Sequence, residues 1–440
     1  MIRNRGIVMR ALTGSLGACA LMLACQQALA VRLDYSIDLG LLHSDNIALS
    51  ASDPISETVL IPSLAFSLSE SGSSVVAEVT GVVEYRDYLD DSFGNEFRGN
   101  LNGLVNWTLV PERLNWVFAD TLGLYPISLR DPAVPGNLQQ TNVFTTGPTL
   151  RFRLAPTLLG QAELRYIDGH AEEASAFDSQ RYSAALRGLY DLSDTRNLSG
   201  NIELQKVDID DDTLAEDYRN LSVYLGYTQA LSELDFNAAL GYSRLRFETA
   251  PDASGPLARA SLSWRASERS TFGIGIADQF TDAASSIGSG SANFDAGFGG
   301  VDVGGAAITA DVYRERRVDA SYLLQGTRLN LATLLRYGTY RYEQAPAALA
   351  NDRDEFGAGI NLGYLLRPTL TLGMTAEAVR RSFDASDLTD RTWRYGAYLT
   401  QRMTRHFSWR VDLARNERDS GDDADSYDEN SIYLRFTYTR

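Results

Sequence analysis

Beyond residue 30 this chain of 440 residues has no cysteine. Cys19 and Cys25 are its only two, so disulfides and thiol chemistry are excluded for the remainder. Lysine is almost missing: Lys206 is the single one, and every other basic residue is arginine. Histidine occurs only as His43, His170 and His406. With 57 acidic against 40 basic residues the net charge is −17, a sign that phosphate backbones repel, so nucleic acid is not an expected partner. After residue 30 no run approaches the ~18 uninterrupted apolar residues of a membrane helix. If the chain crosses a membrane, it must do so with strands.

Residues 1–30 have the order of a secretory leader. Arg3, Arg5 and Arg10 precede an apolar stretch over 11–24, and Ala28-Leu29-Ala30 offers Ala28 and Ala30 as the small residues of a signal-peptidase site. A lipoprotein site at Cys19 is the rival reading, but Ala20-Leu21-Met22-Leu23 would then open the mature chain, whereas a leader's apolar core belongs before its cleavage site. The expected organisation is a cleaved signal peptide over 1–30 and one domain over 31–440.

From residue 31 to the end, apolar and polar residues alternate. Leu33, Tyr35, Ile37, Leu39 and Leu41 interleave with Asp34, Ser36, Asp38 and Gly40. The same pattern recurs at 75–85, 97–109, 198–205, 355–364 and 431–438. Successive side chains of a strand point to opposite faces, so each segment has one oily face and one wet face. Short turns near 110–113, 155–157, 191–195, 229–233, 266–269, 325–328, 367–369 and 403–405 alternate with longer acidic loops at 86–95, 125–140, 208–217, 281–305, 383–390 and 416–429. That alternation predicts an all-β fold: a transmembrane antiparallel up-and-down β-barrel of about 20 strands (roughly 18–22), with short periplasmic turns and long acidic extracellular loops. Closing the sheet pairs every backbone donor and acceptor, as lipid requires and as a soluble solenoid or propeller does not explain. Tyr85, Tyr88, Trp107, Trp116, Tyr125, Trp264, Tyr340, Tyr342, Trp393 and Trp409 fall near strand ends, the place of interfacial girdles. Two features fit poorly. Asp120 is in phase with Leu114, Trp116, Phe118 and Leu122, which implies a bulge or a misjudged face, and 307–324 is too long for one crossing, which places Arg314-Glu315-Arg316-Arg317 beyond the lipid edge or at a bend.

The wet face carries the candidate lumen-lining charges Arg98, Arg151, Arg153, Glu163, Arg165, Arg187, Arg336, Arg394 and Arg410. They either pair across neighbouring strands and hold the wall, or form a lumen that selects an anionic solute. Catalysis has little to stand on, since the local Asp–His candidate, Asp168-Gly169-His170, has i, i+2 spacing, which does not define a site; no enzyme activity and no cofactor are expected. The acidic groups at 208–212 and 419–429 lack EF-hand spacing and read as solvated loops, with divalent bridging to lipopolysaccharide left open.

Tyr35 followed by Leu42-His43-Ser44-Asp45-Asn46-Ile47, then Pro62-Ser63-Leu64-Ala65-Phe66, resembles the start of β-barrel porins from exopolysaccharide gene clusters, the EpsL-like proteins and relatives accompanying PEP-CTERM sorting systems. Val312-Tyr313-Arg314-Glu315-Arg316-Arg317, Tyr322 and Gly326-Thr327-Arg328 resemble the same group. The resemblance implies a Gram-negative outer-membrane barrel tied to polysaccharide synthesis or export, and no catalytic residues. The expected function is a porin-like passive conduit; the alternative is a structural or adhesive barrel that contacts surface polysaccharide without passing it. Expected partners are outer-membrane lipids, lipopolysaccharide, the barrel assembly machinery, polysaccharide and periplasmic export components. The assembly signal is placed at Phe436 and Tyr438, although the chain ends Tyr438-Thr439-Arg440 rather than on an aromatic residue.

Overall fold

A computed structural model describes residues 31–211, 215–289, 307–309, 311–344, 351–386 and 388–440. The expected leader, with Ala28 and Ala30, lies outside them. The chain forms twenty strands: β1 (Arg32–Ser44), β2 (Glu57–Ser71), β3 (Val75–Tyr88), β4 (Glu96–Val110), β5 (Leu114–Pro126), β6 (Leu138–Ala155), β7 (Leu158–Ala171), β8 (Ser179–Ser193), β9 (Arg196–Ile209), β10 (Tyr218–Ala230), β11 (Leu234–Phe247), β12 (Ala253–Ser267), β13 (Ser270–Thr281), β14 (Tyr313–Gln325), β15 (Leu329–Tyr342), β16 (Arg353–Arg367), β17 (Leu370–Phe383), β18 (Leu388–Arg402), β19 (Phe407–Asp419) and β20 (Tyr427–Thr439). One short helix, α1 (Ala283–Gly288), follows β13.

Each strand is antiparallel to the next, and β20 pairs with β1, so the sheet closes into an up-and-down barrel. At the seam Ile37, Leu39 and Leu41 lie opposite Tyr438, Phe436 and Leu434, while Asp38 and Gly40 lie opposite Thr437 and Arg435. Oily therefore meets oily and wet meets wet around the whole circumference, because a one-residue slip would reverse every side chain. The oily face points outward: Leu225 and Leu240 are 63% and 66% exposed, as lipid contacts must be in the bare protein. α1 fixes the inward face independently, since it packs on Val143 and Ala171, which belong to the wet-face set of β6 and β7.

Short connections and long loops occupy opposite ends, and the ladder shifts by a residue beside five of the short turns, at 108/110, 153/155, 191/193, 265/267 and 365/367. Such shifts add local twist where a hairpin reverses. One interior irregularity is built on Gly147, at φ 153°, where a Cβ would come within 2.0 Å of the Leu164 carbonyl oxygen. Only glycine fits there. Pro148 follows, and the Arg165 Nη1 donates to its carbonyl at 2.7 Å, where the β6–β7 ladder is interrupted.

Two readings of the sequence need correction. Asp120 does face the oily side, opposite Gly103 and Phe144, with no bulge beside it. It is accommodated because Asn142, also outward, donates to it at 2.6 Å, so the two polar groups satisfy each other. Arg314–Arg317 does not lie at a bend: β14 begins at Tyr313, so the four residues form its long-loop end, and Ala307, Ile308 and Val312 are buried inside the mouth. The aromatic set also divides. Tyr85, Trp107, Trp116, Trp264, Trp393 and Trp409 share the outward face, whereas Tyr88, Tyr125, Tyr340 and Tyr342 are buried on the inward side.

Candidate functional site: the lumen and its mouth

The strand register places Arg98, Arg151, Arg153, Glu163, Arg165, Arg187, Arg336, Arg394 and Arg410 on the face that carries α1. Arg98 pairs with Glu96 at 2.6 Å and Arg410 with Asp412 at 2.6 Å, and Arg410 also stacks 4.0 Å over the Tyr398 ring. Arg187 reaches Glu163 at 3.0 Å and also Glu203, and donates to the Tyr224 hydroxyl at 2.7 Å. Arg336 meets Asp319 at 2.7 Å, and Arg394 meets Glu377 at 3.6 Å. Arg151 donates to Gln161 at 3.1 Å, and Arg153 is exposed near the short-turn end. Arg165 is 3.5 Å from Glu163 and donates to Thr149 as well as to Pro148.

Pairing across strands was the expectation, yet many partners sit two residues apart on one strand: Arg86–Glu84, Arg98–Glu96, Arg165–Glu163, Arg317–Glu315 and Arg410–Asp412. Residues i and i+2 share a face about 6.6 Å apart, within the reach of an arginine side chain. The pattern Glu-x-Arg or Arg-x-Asp is legible in the sequence once that distance is considered.

The mouth at the long-loop end holds the groups that sequence reasoning passed over. Asp282 caps α1, accepting from the Ser285 amide at 3.0 Å and its hydroxyl at 2.8 Å. The same carboxylate pairs with Arg181 of β8 and accepts from the Tyr218 hydroxyl at 3.0 Å. Both Arg181 and Asp282 are sealed from solvent. Around them α1 inserts Ala283, Ala284 and Ile287 between Tyr125, Val143, Ala171 and Phe177, and Ile308 joins the same cluster. The local signal was an Asp with serine three residues on, ahead of apolar residues, which is an N-terminal helix pattern. Of the long loop over 281–305, the helix and its flank lie in the lumen, and 290–305 fall outside the described residues.

A second loop enters from the β5–β6 wall, on which α1 packs. Residues 127–137, between β5 and β6, carry Leu129 and Arg130 across to the strands on the far side. Leu129 packs with Phe383 of β17 and with Ala307. Arg130 lies 5.1 Å over the Phe383 ring and donates to Ser386, while its carbonyl accepts from Arg418, itself 2.8 Å from Asp390. The Ile308 amide donates to the Pro126 carbonyl at 3.1 Å, tying the two inward loops together.

The histidines do not converge. His43 contacts Thr58 at 3.0 Å, His170 contacts Asp178 at 3.1 Å, and His406 contacts the Thr439 carbonyl at 2.9 Å. Among the described residues no group of three or more His, Cys, Asp or Glu side chains is placed to hold a metal ion; Asp212 of the first acidic group lies outside them. Asp422 of the second caps a turn through the Ala424 amide at 3.1 Å.

No family model matches the chain, and no curated protein does. Among solved structures it is similar to Pseudomonas aeruginosa OpdK crystallised with vanillate, at 13% identity and TM-score 0.40, over 93% of this chain and 98% of that one. It is similar to Acinetobacter baumannii OccAB3 at 9% identity and TM-score 0.41, over 93% and 99%. It is also similar to the siderophore receptor PirA of Pseudomonas aeruginosa at 11% identity and TM-score 0.42, over 93% and 80%.

Proposed function

We propose that this chain is an outer-membrane, porin-like barrel of the exopolysaccharide-associated kind, a passive conduit for an extracellular polysaccharide or oligosaccharide. The observation that carries this reading is the mouth: α1 and the loop bearing Arg130 reach inward and are held there by a few polar contacts and local apolar packing rather than by strand pairing. Such contacts can be exchanged for contacts to a hydroxyl-rich solute without opening the wall. Below the mouth, arginine–carboxylate pairs beside Tyr224 and Tyr398 supply ring faces and hydrogen-bonding groups of the kind that sugars use.

The test is conductance in planar bilayers, comparing the natural chain with one lacking residues 283–309. A small or silent natural channel that conducts after deletion, and whose current an oligosaccharide blocks, is the expected result. The same inward segments favour the second reading, a structural or adhesive barrel, if they close the lumen. A protein that conducts nothing with or without 283–309 would establish that reading instead.

A further inference from the structure

The outward face of β9–β11 carries a row of three cations on successive strands. Lys206 lies directly opposite Arg219, and Arg219 directly opposite Arg246, all three on the side that faces the membrane. Arg244 sits two residues below Arg246 on the same face. Like charges in direct cross-strand register destabilise a sheet unless an anion lies between them. Carboxylates meet part of this charge, and Asp168 and Asp208 lie in the next row up on the same face. Asp208 pairs with Lys206 at 2.5 Å, and Asp252 serves Arg244 at 2.8 Å and Arg246 only at 4.0 Å. Asp217, near Lys206, is engaged by the Ile209 amide at 2.8 Å. Arg219 has no ion-pair partner among the described residues. Elsewhere on this rim Arg314 lies opposite Arg341, each resting on a carboxylate at 2.8 Å, and Arg380 lies opposite Arg391, which is 3.6 Å from Asp419; neither pair extends to a third strand.

The height of the row is set by its neighbours. Tyr182 lies opposite Lys206, and Tyr166 opposite Tyr182, with ring centroids 5.5 Å apart, so the row continues into an aromatic pair of the kind found at headgroup level. Beneath it β9 and β10 turn apolar, with Leu204 and Leu221, then Ile202 and Val223, while Arg244 stands beside Leu221 on β11. Deeper still, Gly160, Gly188 and Gly200 lie in register across β7, β8 and β9. The Phe152 ring covers Gly160, while Gly188 and Gly200 leave a concavity of 490 Å³ banked by Phe152, Leu186 and Leu225. Six residues along a strand separate Arg219 from Leu225, about 20 Å, or ~15 Å of depth for a strand tilted by ~40°. That is one leaflet of a ~30 Å hydrocarbon core.

We infer that this surface is a binding site for a phosphorylated, multiply acylated lipid of the outer leaflet, of the lipid A class. The cationic row takes the phosphates in charge-assisted hydrogen bonds, and the glycine-floored concavity takes an acyl chain. The charge complementarity and the leaflet-deep apolar track select this occupant over a free anion, which would leave the track empty, and over a zwitterionic lipid, which would leave the row uncompensated. The site lies on the outside of the wall and is independent of what passes through the lumen.

The test uses the folded barrel in detergent, probed with purified hexa-acylated lipid A bearing both phosphates, the same lipid dephosphorylated, and phosphatidylglycerol, by native mass spectrometry. One bisphosphorylated lipid A per barrel is expected, with affinity reduced about tenfold or more in the K206Q/R219Q/R246Q variant. Gly188→Leu with Gly200→Leu fills space in which an added Cβ meets nothing within 4 Å, so folding is preserved. That pair should weaken both forms of lipid A. Equal binding by the natural and triple-variant barrels, or equal affinity for dephosphorylated lipid A or phosphatidylglycerol, would overturn the assignment. Conductance should be unchanged in both variants, which separates this test from that of the lumen.

Discussion

Arg181 on β8 and Asp282 at the head of α1, 101 residues apart in sequence, form an ion pair sealed inside the barrel wall. Asp282 is thereby both helix cap and anchor, so the inward loop is fastened at its first residue. Removing one partner of a buried pair leaves an uncompensated charge, which costs on the order of 3–5 kcal/mol. Arg181→Met should therefore release α1 from the mouth while leaving the strand ladder intact. Single-channel conductance should rise, and a protease added from the loop side should cut within 283–309. A variant with natural conductance and no new cleavage would show that apolar packing alone holds the loop.

Acid should act on the same anchor. Burial pushes the Asp282 carboxyl upward, but the Arg181 guanidinium and the Ser285 donors outweigh it and hold the pKa below the ordinary 3.8. A carboxylate depressed in the folded state contributes stability above its unfolded pKa and loses it as pH falls through the folded value. Asp311, in the same inward segment, is shifted the opposite way because its burial dominates the Thr309 bond, so its protonation favours the folded arrangement at low pH and partly offsets the loss. Conductance should be flat between about pH 8 and pH 5 and rise only below about pH 4. A rise near neutral pH would assign gating to another group.

Arg130 supplies the second fastening. Arg130→Ala removes the cation–π contact to Phe383 and the bond to Ser386, together worth roughly 1–3 kcal/mol. The loop over 127–137 should become accessible to protease with the barrel still folded, and the effect should add to that of Arg181→Met only if the two loops move separately. The hydrogen bond from Ile308 to Pro126 predicts less than additive behaviour.

In the lumen, Arg151 and Arg153 are the arginines to reverse for selectivity, because Arg165 is committed to the wall through Pro148 and Thr149. Arg151→Glu with Arg153→Glu in a barrel lacking 283–309 should shift reversal potentials toward cations. The shift should shrink with added salt as the screening length falls from ~10 Å at 0.1 M. Arg165→Glu should instead reduce the folded fraction.

At the closing seam Phe436 lies between Leu39 and Trp409, and Tyr438 between Ile37 and Phe407, all facing lipid. Phe436→Asp puts a carboxylate on that face at a cost of up to ~2 kcal/mol and should lower the heat-modifiable, folded form in outer membranes. Thr437→Asp, one residue over and inward beside Asp38, should insert more readily. Equal insertion of the two would remove the seam from assembly control.

Period-two alternation from Leu33 to Tyr438 was enough to establish the barrel, its strand number to within about two, and the inward placement of Arg98, Arg187 or Arg410, because in a closed sheet with one lipid face and one wet face the parity of a residue determines its side. Parity says nothing about groups that leave the sheet or meet across it. Arg181 looked like any wet-face arginine, Asp282 like one acid in a small-residue loop, and Arg130 like a loop cation; each gained its partner only when closure brought β8, β13 and β17 around one lumen. The same holds outside, where Lys206, Arg219 and Arg246 became a single row, and Gly160, Gly188 and Gly200 a single hollow, through cross-strand register. Alternation within a strand is a local property that the chain carries in its order of residues, whereas adjacency between strands depends on how far each hairpin is staggered, and only the closed barrel sets that.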